Sequence, residues 1–154
     1  MLLQFLVGTL VSVINIGIHA LVTIVAVGIA RGAGLRQTRR PRVHLMGVMV
    51  ATAVVLQVAH TLEVLVWALM YEVVQAAAPG SDALYFAFVN YTTLGYGDIT
   101  PVKEWRLLGP MAAMNGILMF GWSTAVLFDV LLKTIEHLSA IAAPGTLFSA
   151  EDQG

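Results

Sequence analysis

The chain has 154 residues, of which 58% are hydrophobic and only 11% are charged, and its mean hydropathy is +0.84. This composition excludes an ordinary soluble domain and is typical of a membrane protein. The net charge of −1 excludes the basic surface of a nucleic-acid-binding protein. The absence of cysteine excludes disulfides and thiolate metal sites.

Three apolar stretches are long enough to cross a bilayer, which takes about 20 helical residues. They run from Leu2 to Ala30, from His44 to Gln75 and from Leu107 to Leu132. The first stretch has no basic residues before it and is longer than the apolar part of a signal peptide. We therefore expect it to be an uncleaved transmembrane helix.

A shorter apolar and aromatic segment, Ser81 to Thr93, lies between the second and third spans. It is too short to cross the bilayer, and such a segment is tolerated only when it is buried in protein or lines an aqueous cavity. Pro79-Gly80 interrupts the chain before it, and Ser81 or Asp82 is expected to cap its first turn. The pattern predicts a re-entrant half-helix.

Five of the eight lysine and arginine residues lie in the short loop between the first two spans. The positive-inside rule places this loop in the cytoplasm. The amino terminus and the re-entrant segment are then at the outer side, and the carboxyl terminus is cytoplasmic. The cluster is also a candidate site for anionic lipid headgroups. Its members are Arg31, Arg36, Arg39, Arg40 and Arg42.

A glycine-rich run, Thr92-Thr93-Leu94-Gly95-Tyr96-Gly97-Asp98, follows the re-entrant segment. Glycine takes positive φ without a steric penalty, so alternating glycines can turn successive carbonyl oxygens toward one line. Four such segments around an axis would form rings of oxygens that replace the hydration shell of a potassium ion. A phosphate loop would need a G-x-x-x-x-G-K-[ST] pattern or a βαβ context, and the sequence has neither.

This run resembles the selectivity filter of potassium channels, whose usual form is TVGYG, with Leu94 in place of the valine. The resemblance implies that potassium is bound along the run. The implied ion-binding residues are Thr93, Leu94, Gly95, Tyr96 and Gly97, with ion contacts from the first four. The implied supporting residues are Thr92, Asp98, Tyr85 and Phe86, the last two standing where many members have tryptophans. Tyr85 can donate an O–H to Asp98, whereas Phe86 cannot.

The third span resembles the inner helix of two-helix-plus-pore-loop bacterial potassium channels through its G-I-x-x-F-G-x-x-T-A pattern. The hinge glycine of that family lies about 20 residues after the filter tyrosine, as Gly116 does after Tyr96. Steps of three and four residues place the apolar members of this span on one face, which we assign to the pore cavity and inner gate. Without the filter, simple helix packing would be the preferred interpretation. The assigned residues are Gly116, Ile117, Phe120, Gly121, Thr124, Phe128 and Asp129.

Asp129 has two interpretations. It is either a surface residue near Lys133 or one member of a ring of four carboxylates that concentrates cations at the inner mouth.

Ionisable residues at membrane depth, here His19, His60 and Glu63, are costly and usually have a role. Antiparallel packing of the first two spans predicts a ladder of interhelical hydrogen bonds. Its depth-matched pairs are Ser12 with Glu63, Asn15 with His60, and His19 with Gln57. The alternatives are a proton sensor at His60 and Glu63 and, weakly, a metal site with only these two ligands.

The fold prediction is an all-α membrane protein with three transmembrane helices, a re-entrant pore helix and a selectivity-filter loop, assembled as a homotetramer in the cell membrane. The predicted segments are an additional first helix over 1–30, a basic loop over 31–43, a pore module over 44–135 and a tail over 136–154. Within the pore module, the outer helix covers 44–75, the pore helix 81–92, the filter 93–97 and the inner helix 107–135.

The predicted activity is passive, potassium-selective permeation, with no enzymatic reaction and no cofactor other than the permeant ion. Two alternatives remain open at this point. One is a non-conducting or regulatory subunit that retains the pore module, and the other is a weakly selective cation channel.

Overall fold

The computed structural model describes residues 1–34 and 40–142. This part of the chain consists of helices and connecting segments. The helices are α1 (Leu2–Gly34), α2 (Pro41–Val73), α3 (Ala83–Tyr91) and α4 (Leu108–Ala142), with a single 3₁₀ turn at Lys103–Trp105 before α4. The all-helical prediction is confirmed for the described residues.

The helices α1, α2 and α4 contain 33, 33 and 35 residues. At 1.5 Å per residue each is about 50 Å long, more than the roughly 30 Å of a bilayer's hydrocarbon core. All three are long and apolar enough to cross a membrane, as predicted. Their ends differ from the predicted bounds. Helix α1 continues to Gly34 and α4 to Ala142, so the predicted loop and tail are partly helical.

Helix α1 packs against α2 and α4, while the short α3 packs between α2 and α4. Aromatic side chains from α2 and α3 fill the space where these helices meet. The rings of Tyr71 and Phe86 lie 4.9 Å apart, and Trp67 lies 5.8 Å from Tyr71. Leu108 and Met119 of α4 are fully buried against this group. The short helix is therefore held on two sides by long ones.

The connections around α3 are fixed by hydrogen bonds at both ends. Asp82 caps the helix, because its carboxylate accepts a bond from the backbone N–H of Tyr85 at 3.0 Å. The chain leaving the glycine-rich run returns to the end of α2, where the N–H of Val102 donates to the carbonyl of Ala76 at 2.8 Å. These contacts hold the start of α3 and the end of the loop that follows it.

A hydrogen bond connects the first turn of α1 to the start of α4. The side-chain oxygen of Gln4, a buried residue, accepts a bond from the N–H of Leu107 at 3.1 Å. Leu107 immediately precedes α4, so Gln4 satisfies a backbone donor at the start of another helix.

Candidate functional site

The run that follows α3 begins as the end of a helix. The N–H and the hydroxyl of Thr92 both donate to the carbonyl of Phe88, at 2.9 and 2.7 Å, and the N–H of Thr93 donates to Asn90 at 3.0 Å. These bonds satisfy carbonyls that the helix end would otherwise leave without a partner. We call residues 92–98 the filter loop.

The backbone of the filter loop alternates in handedness. The φ angle is positive at every second residue, with values of 61° at Thr93, 60° at Gly95 and 77° at Gly97. Two of these positions are glycines, for which positive φ carries little cost, and Thr93 is one of two non-glycine residues with positive φ among the residues described. The alternation predicted from the glycine spacing is present.

The hydrogen bonds of the loop set the direction of its carbonyls. The N–H groups of Leu94 and Gly95 both donate to the carbonyl of Val89, at 2.9 and 3.4 Å. In a trans peptide the carbonyl of the preceding residue is antiparallel to the N–H. The carbonyl oxygens of Thr93 and Leu94 therefore point away from α3, toward the exposed side of the loop.

Tyr85 and Asp98 brace the loop from its outer end. The Tyr85 hydroxyl donates to Oδ2 of Asp98 at 2.7 Å. This bond holds the pKa of the Asp98 carboxyl below its usual value and raises the pKa of Tyr85. Phe86 points elsewhere, since it is buried and packs against Tyr71. Of the aromatic pair, Tyr85 holds Asp98 while Phe86 belongs to the core.

Most of the α4 residues assigned to the cavity lie on one exposed face. Ile117 is 62% exposed, Phe120 38% and Phe128 61%. Gly121 and Thr124 are exposed beside them. In a membrane-spanning chain an apolar face of this kind can contact lipid, contact another chain or line a pore.

Gly116 differs from this set because it is buried against α3. A Cβ placed on it would lie 2.0 Å from the backbone oxygen of Tyr91. A Cβ on Gly121 would meet nothing within 4 Å. The two glycines of the inner-helix pattern thus have different environments. Gly116 permits close approach of α4 to the end of α3, and Gly121 faces open space.

Asp129 forms an ion pair with Lys133 one turn later on α4, at 2.6 Å. Both side chains are about half exposed. Of the arginine cluster, Arg31 and Arg42 are exposed helix residues near the gap between α1 and α2, and Arg40 immediately precedes α2. Arg36 and Arg39 lie outside the described residues.

A buried network of polar side chains joins all four helices behind the filter loop. We call it the polar cluster. Its members are Asn15 and His19 of α1, His60, Glu63 and Trp67 of α2, Tyr91 of α3, and Asn115 and Ser123 of α4. Each of them is at most 7% exposed.

The centre of the polar cluster is Glu63. Its carboxylate contacts Nδ1 of His19 at 2.7 Å and accepts a bond from the Tyr91 hydroxyl. His60 lies 3.1 Å from that hydroxyl through Nδ1 and 2.9 Å from the Ser123 hydroxyl through Nε2. Ser123 is also 3.3 Å from Nε2 of His19.

A second centre of the cluster is Asn115. Its side-chain oxygen accepts bonds from Asn15 at 2.9 Å and from the indole N–H of Trp67 at 3.0 Å. Asn15 also donates to the backbone carbonyl of Glu63 at 3.2 Å. Through these bonds α1 is connected to α2 and α4 by polar as well as apolar contacts.

The predicted ladder between α1 and α2 is wrong in its pairs. His19 contacts Glu63 and not Gln57, and Asn15 contacts Glu63 and not His60. Compared with simple depth matching, which placed the midpoints of the two spans level, the contacts are displaced along α2 by three residues for Asn15 and six for His19, or about one to two helical turns. Gln57 is exposed on another face of α2. The linkage of the first helix to the rest of the chain by polar side chains is nevertheless present.

Sequence reasoning missed four members of the polar cluster, Trp67, Tyr91, Asn115 and Ser123. Asn115 and Ser123 carried a usable signal, since polar residues within an apolar span need partners. Tyr91 and Trp67 carried none, because aromatic residues are common in membrane helices and near their ends.

A family model described as "Ion channel" matches residues 48–133, which is more than half of the chain. The match begins within α2 and ends within α4, so it includes α3 and the filter loop and leaves out α1. No curated protein and no solved structure shows significant similarity to the chain.

Proposed function

We propose that this chain, which belongs to the ion channel family and is a multi-pass membrane protein, conducts potassium ions selectively. The filter loop is the proposed selective element. In the proposed channel four identical chains surround one axis, and each contributes one loop.

The observation that carries this proposal is the backbone of the filter loop. Positive φ at Thr93, Gly95 and Gly97 alternates with the intervening residues. The N–H groups of Leu94 and Gly95 are occupied by the carbonyl of Val89, which leaves the carbonyls of Thr93 and Leu94 directed away from the pore helix. Carbonyl oxygens presented in this way can replace the hydration shell of K⁺.

The need for four chains follows from the exposure of the loop. In the single chain the residues from Thr92 to Asp98 are all exposed, and one loop offers oxygens on one side of an ion only. Closed cyclic symmetry would surround the ion and would turn the exposed face of α4 toward the central axis. Ile117, Phe120, Thr124 and Phe128 would then line the aqueous cavity below the filter.

The proposed orientation has the filter loop at the outer side and the arginine cluster in the cytoplasm. The charge distribution supports it, since basic residues are retained on the cytoplasmic side of membranes. Anionic lipid headgroups are the proposed partners of this cluster.

The pair of Asp129 with Lys133 reduces the charge that an acidic ring at the inner mouth would carry. Asp129→Asn should therefore change inward rectification little, which single-channel recordings would measure.

Purified protein in liposomes with opposed potassium and sodium gradients tests the proposal. We expect potassium flux that barium blocks, with little sodium flux, from particles that native mass spectrometry identifies as tetramers. Equal fluxes of the two ions would contradict selectivity and indicate a weakly selective cation channel. A tetramer without flux of either ion would contradict conduction and indicate a regulatory subunit.

A further inference from the structure

We propose that His19, His60 and Glu63 form a binding site for a divalent transition-metal ion of the zinc class, at the place where α1 meets the pore module. Each residue offers one ligand atom, and these atoms lie within 4.8 Å of one another. From the sequence alone only two such ligands, His60 and Glu63 on one helix, could be recognised. The fold adds the third from a helix that the ion channel family model does not include.

The three residues have the composition of a known type of metal site. Two imidazoles and one carboxylate hold zinc in several proteins, with metal–ligand distances of about 2.0–2.2 Å. Tetrahedral bonds of that length put neighbouring ligand atoms about 3.3 Å apart. The carboxylate of Glu63 lies 2.7 Å from Nδ1 of His19 and 3.3 Å from Nδ1 of His60. Both carboxylate contacts are therefore within about 0.6 Å of the separation that tetrahedral zinc requires.

One serine contacts the Nε2 atoms of both imidazole rings. The hydroxyl oxygen of Ser123 lies 2.9 Å from Nε2 of His60 and 3.3 Å from Nε2 of His19. A hydroxyl oxygen has two lone pairs and can accept a hydrogen bond from each ring. Both rings then carry their hydrogen on Nε2, and both Nδ1 lone pairs are directed to Glu63. Metal-bound histidines are commonly oriented by a partner of this kind.

The number of hydrogens available for the contacts among His19, His60, Glu63, Tyr91 and Ser123 supports a bound cation among these side chains. If no cation is bound, Nδ1 of both His19 and His60 must carry hydrogen to bond the Glu63 carboxylate and the Tyr91 oxygen. Both Nε2 atoms of neutral rings are then acceptors, and Ser123 has one hydrogen for two of them. A metal ion in place of the two Nδ1 hydrogens lets both rings donate to Ser123, so that every contact is satisfied. An extra proton on one ring would also complete the count, and the experiment below separates the two.

Tyr91 provides a fourth oxygen at the same place. Its hydroxyl contacts Glu63 and lies 3.1 Å from Nδ1 of His60. A divalent ion beside one carboxylate would leave one positive charge in a buried site, which is unfavourable. Coordination of Tyr91 with loss of its phenolic proton would remove that charge, because a bound metal ion favours the deprotonated ligand. We therefore expect metal uptake to release protons.

Aromatic rings surround the site and separate it from the exposed face of α4. The ring of Phe120 lies 4.5 Å from that of His60, and Trp122 lies edge-on to His19 at 5.3 Å. Phe120 is itself 38% exposed. Phe120 thus lies between His60 and the face that we assign to the aqueous cavity.

Metal content of the purified full-length protein tests the site. The detergent-solubilised chain is stripped with a chelator, incubated with Zn²⁺ or Co²⁺, desalted and analysed by elemental mass spectrometry. We expect one ion per chain, a higher midpoint of thermal unfolding with Zn²⁺, and the visible absorption of tetrahedral Co²⁺. No ion flux is measured, so this proposal can fail while potassium conduction stands, and the reverse.

Variants locate the ion. His19→Gln, His60→Gln and Glu63→Gln should each weaken Zn²⁺ binding by at least about 100-fold, since even outer partners contribute about 10–100-fold. Ser123→Ala keeps all three ligands and should weaken binding by about 10–100-fold. His44→Gln and His137→Gln, which change the two remaining histidines of the sequence, are the matched controls and should bind as the wild type does.

Three results would overturn the proposal. The first is a folded wild-type chain that retains no more zinc than its His19→Gln variant. The second is equal loss of binding in the His44→Gln or His137→Gln control. The third is an unfolding midpoint that responds to pH and not to Zn²⁺, which would mean that the cluster holds a proton in place of a metal ion. The third uses the wild type alone, so it remains informative if a ligand variant fails to fold.

Discussion

The filter loop and the polar cluster both contact the end of α3 and differ in how complete they are within one chain. Residues 92–98 of the loop are all exposed, and its carbonyls at Thr93 and Leu94 point away from the protein. The eight residues of the cluster are at most 7% exposed, and their side chains bond to one another across four helices.

This difference separates a region that is complete within one chain, the polar cluster, from a region whose groups remain open to other partners, the filter loop. The polar cluster is assembled by folding of a single chain, whereas the filter loop presents groups that only a ligand or further chains can satisfy. Substitutions in the cluster should therefore change the stability of the chain. Substitutions in the loop should change permeation and leave the fold nearly intact.

The largest effect is expected for Glu63→Ala, which removes the acceptor at the centre of the cluster and leaves His19 and the Tyr91 hydroxyl without their partner. Removing one member of a buried ionic or polar pair costs about 3–5 kcal/mol of unfolding free energy. Equilibrium unfolding in mixed micelles with a chelator present would measure it. Glu72→Ala, at an exposed position on the same helix, is the control. Equal stability of the two variants would remove the cluster's structural role.

The next effect concerns the contact between α4 and the end of α3. Gly116→Ala would put a methyl group 2.0 Å from the Tyr91 carbonyl oxygen, a backbone atom that cannot turn aside. Overpacking of this kind costs about 1–3 kcal/mol. Gly121→Ala meets no neighbour and should raise stability by about 0.5–1 kcal/mol, because alanine favours helix more than glycine does. The same unfolding measurement should show a lower unfolding free energy for Gly116→Ala and a higher one for Gly121→Ala. A change in the same direction for both variants would contradict the close approach at Gly116.

In the filter loop, Gly95→Ala should abolish potassium flux with little change in folding. Gly95 has a φ of 60°, where an added Cβ costs roughly 1–2 kcal/mol, and this strain would turn the neighbouring carbonyls. Flux into liposomes should fall by more than about tenfold, while the unfolding transition moves by no more than about 1–2 kcal/mol. Wild-type flux in this variant would show that selective permeation does not depend on the alternating backbone.

How much of this could be predicted from the sequence differs between the two regions. The spans, the re-entrant helix and the positive φ at Gly95 and Gly97 follow from local patterns of apolar residues and glycine. The contact of Tyr85 with Asp98 was also predictable, because Tyr85 stands where many members of the resembled family have a tryptophan and can likewise donate a hydrogen bond. The partners in the polar cluster were not. They depend on the axial offset and rotation of α1 against α2, which a shift of one turn changes completely.

The smallest effect is expected for Tyr85→Phe, which removes the brace on Asp98. The Tyr85 hydrogen bond lowers the pKa of Asp98. The stabilisation that this bond gives the folded loop is therefore present above the ordinary pKa of the carboxyl and is lost as pH falls through the lowered value. In the variant the pKa of Asp98 should rise toward its ordinary value, and acid loss of function should begin at a higher pH. Carboxyl chemical shifts would measure this.

In the same spectra Asp82 provides the reference, since it bonds the backbone N–H of Tyr85 and not its ring. A pKa of Asp98 that stays unchanged in Tyr85→Phe would show that the loop is not braced through this bond.

The close contact between Gly116 and the Tyr91 carbonyl has a mechanical consequence for α4. The portion of α4 before Gly116 lies directly on the backbone of α3 and should move with it as one body. The portion after it has Gly121 in open space but is tied to α1 and α2 through Ser123, whose hydroxyl contacts His19 and His60. A bend of α4 after Gly116 would have to break these contacts. The first helix, through His19 and Asn15, is thereby coupled to any such bend.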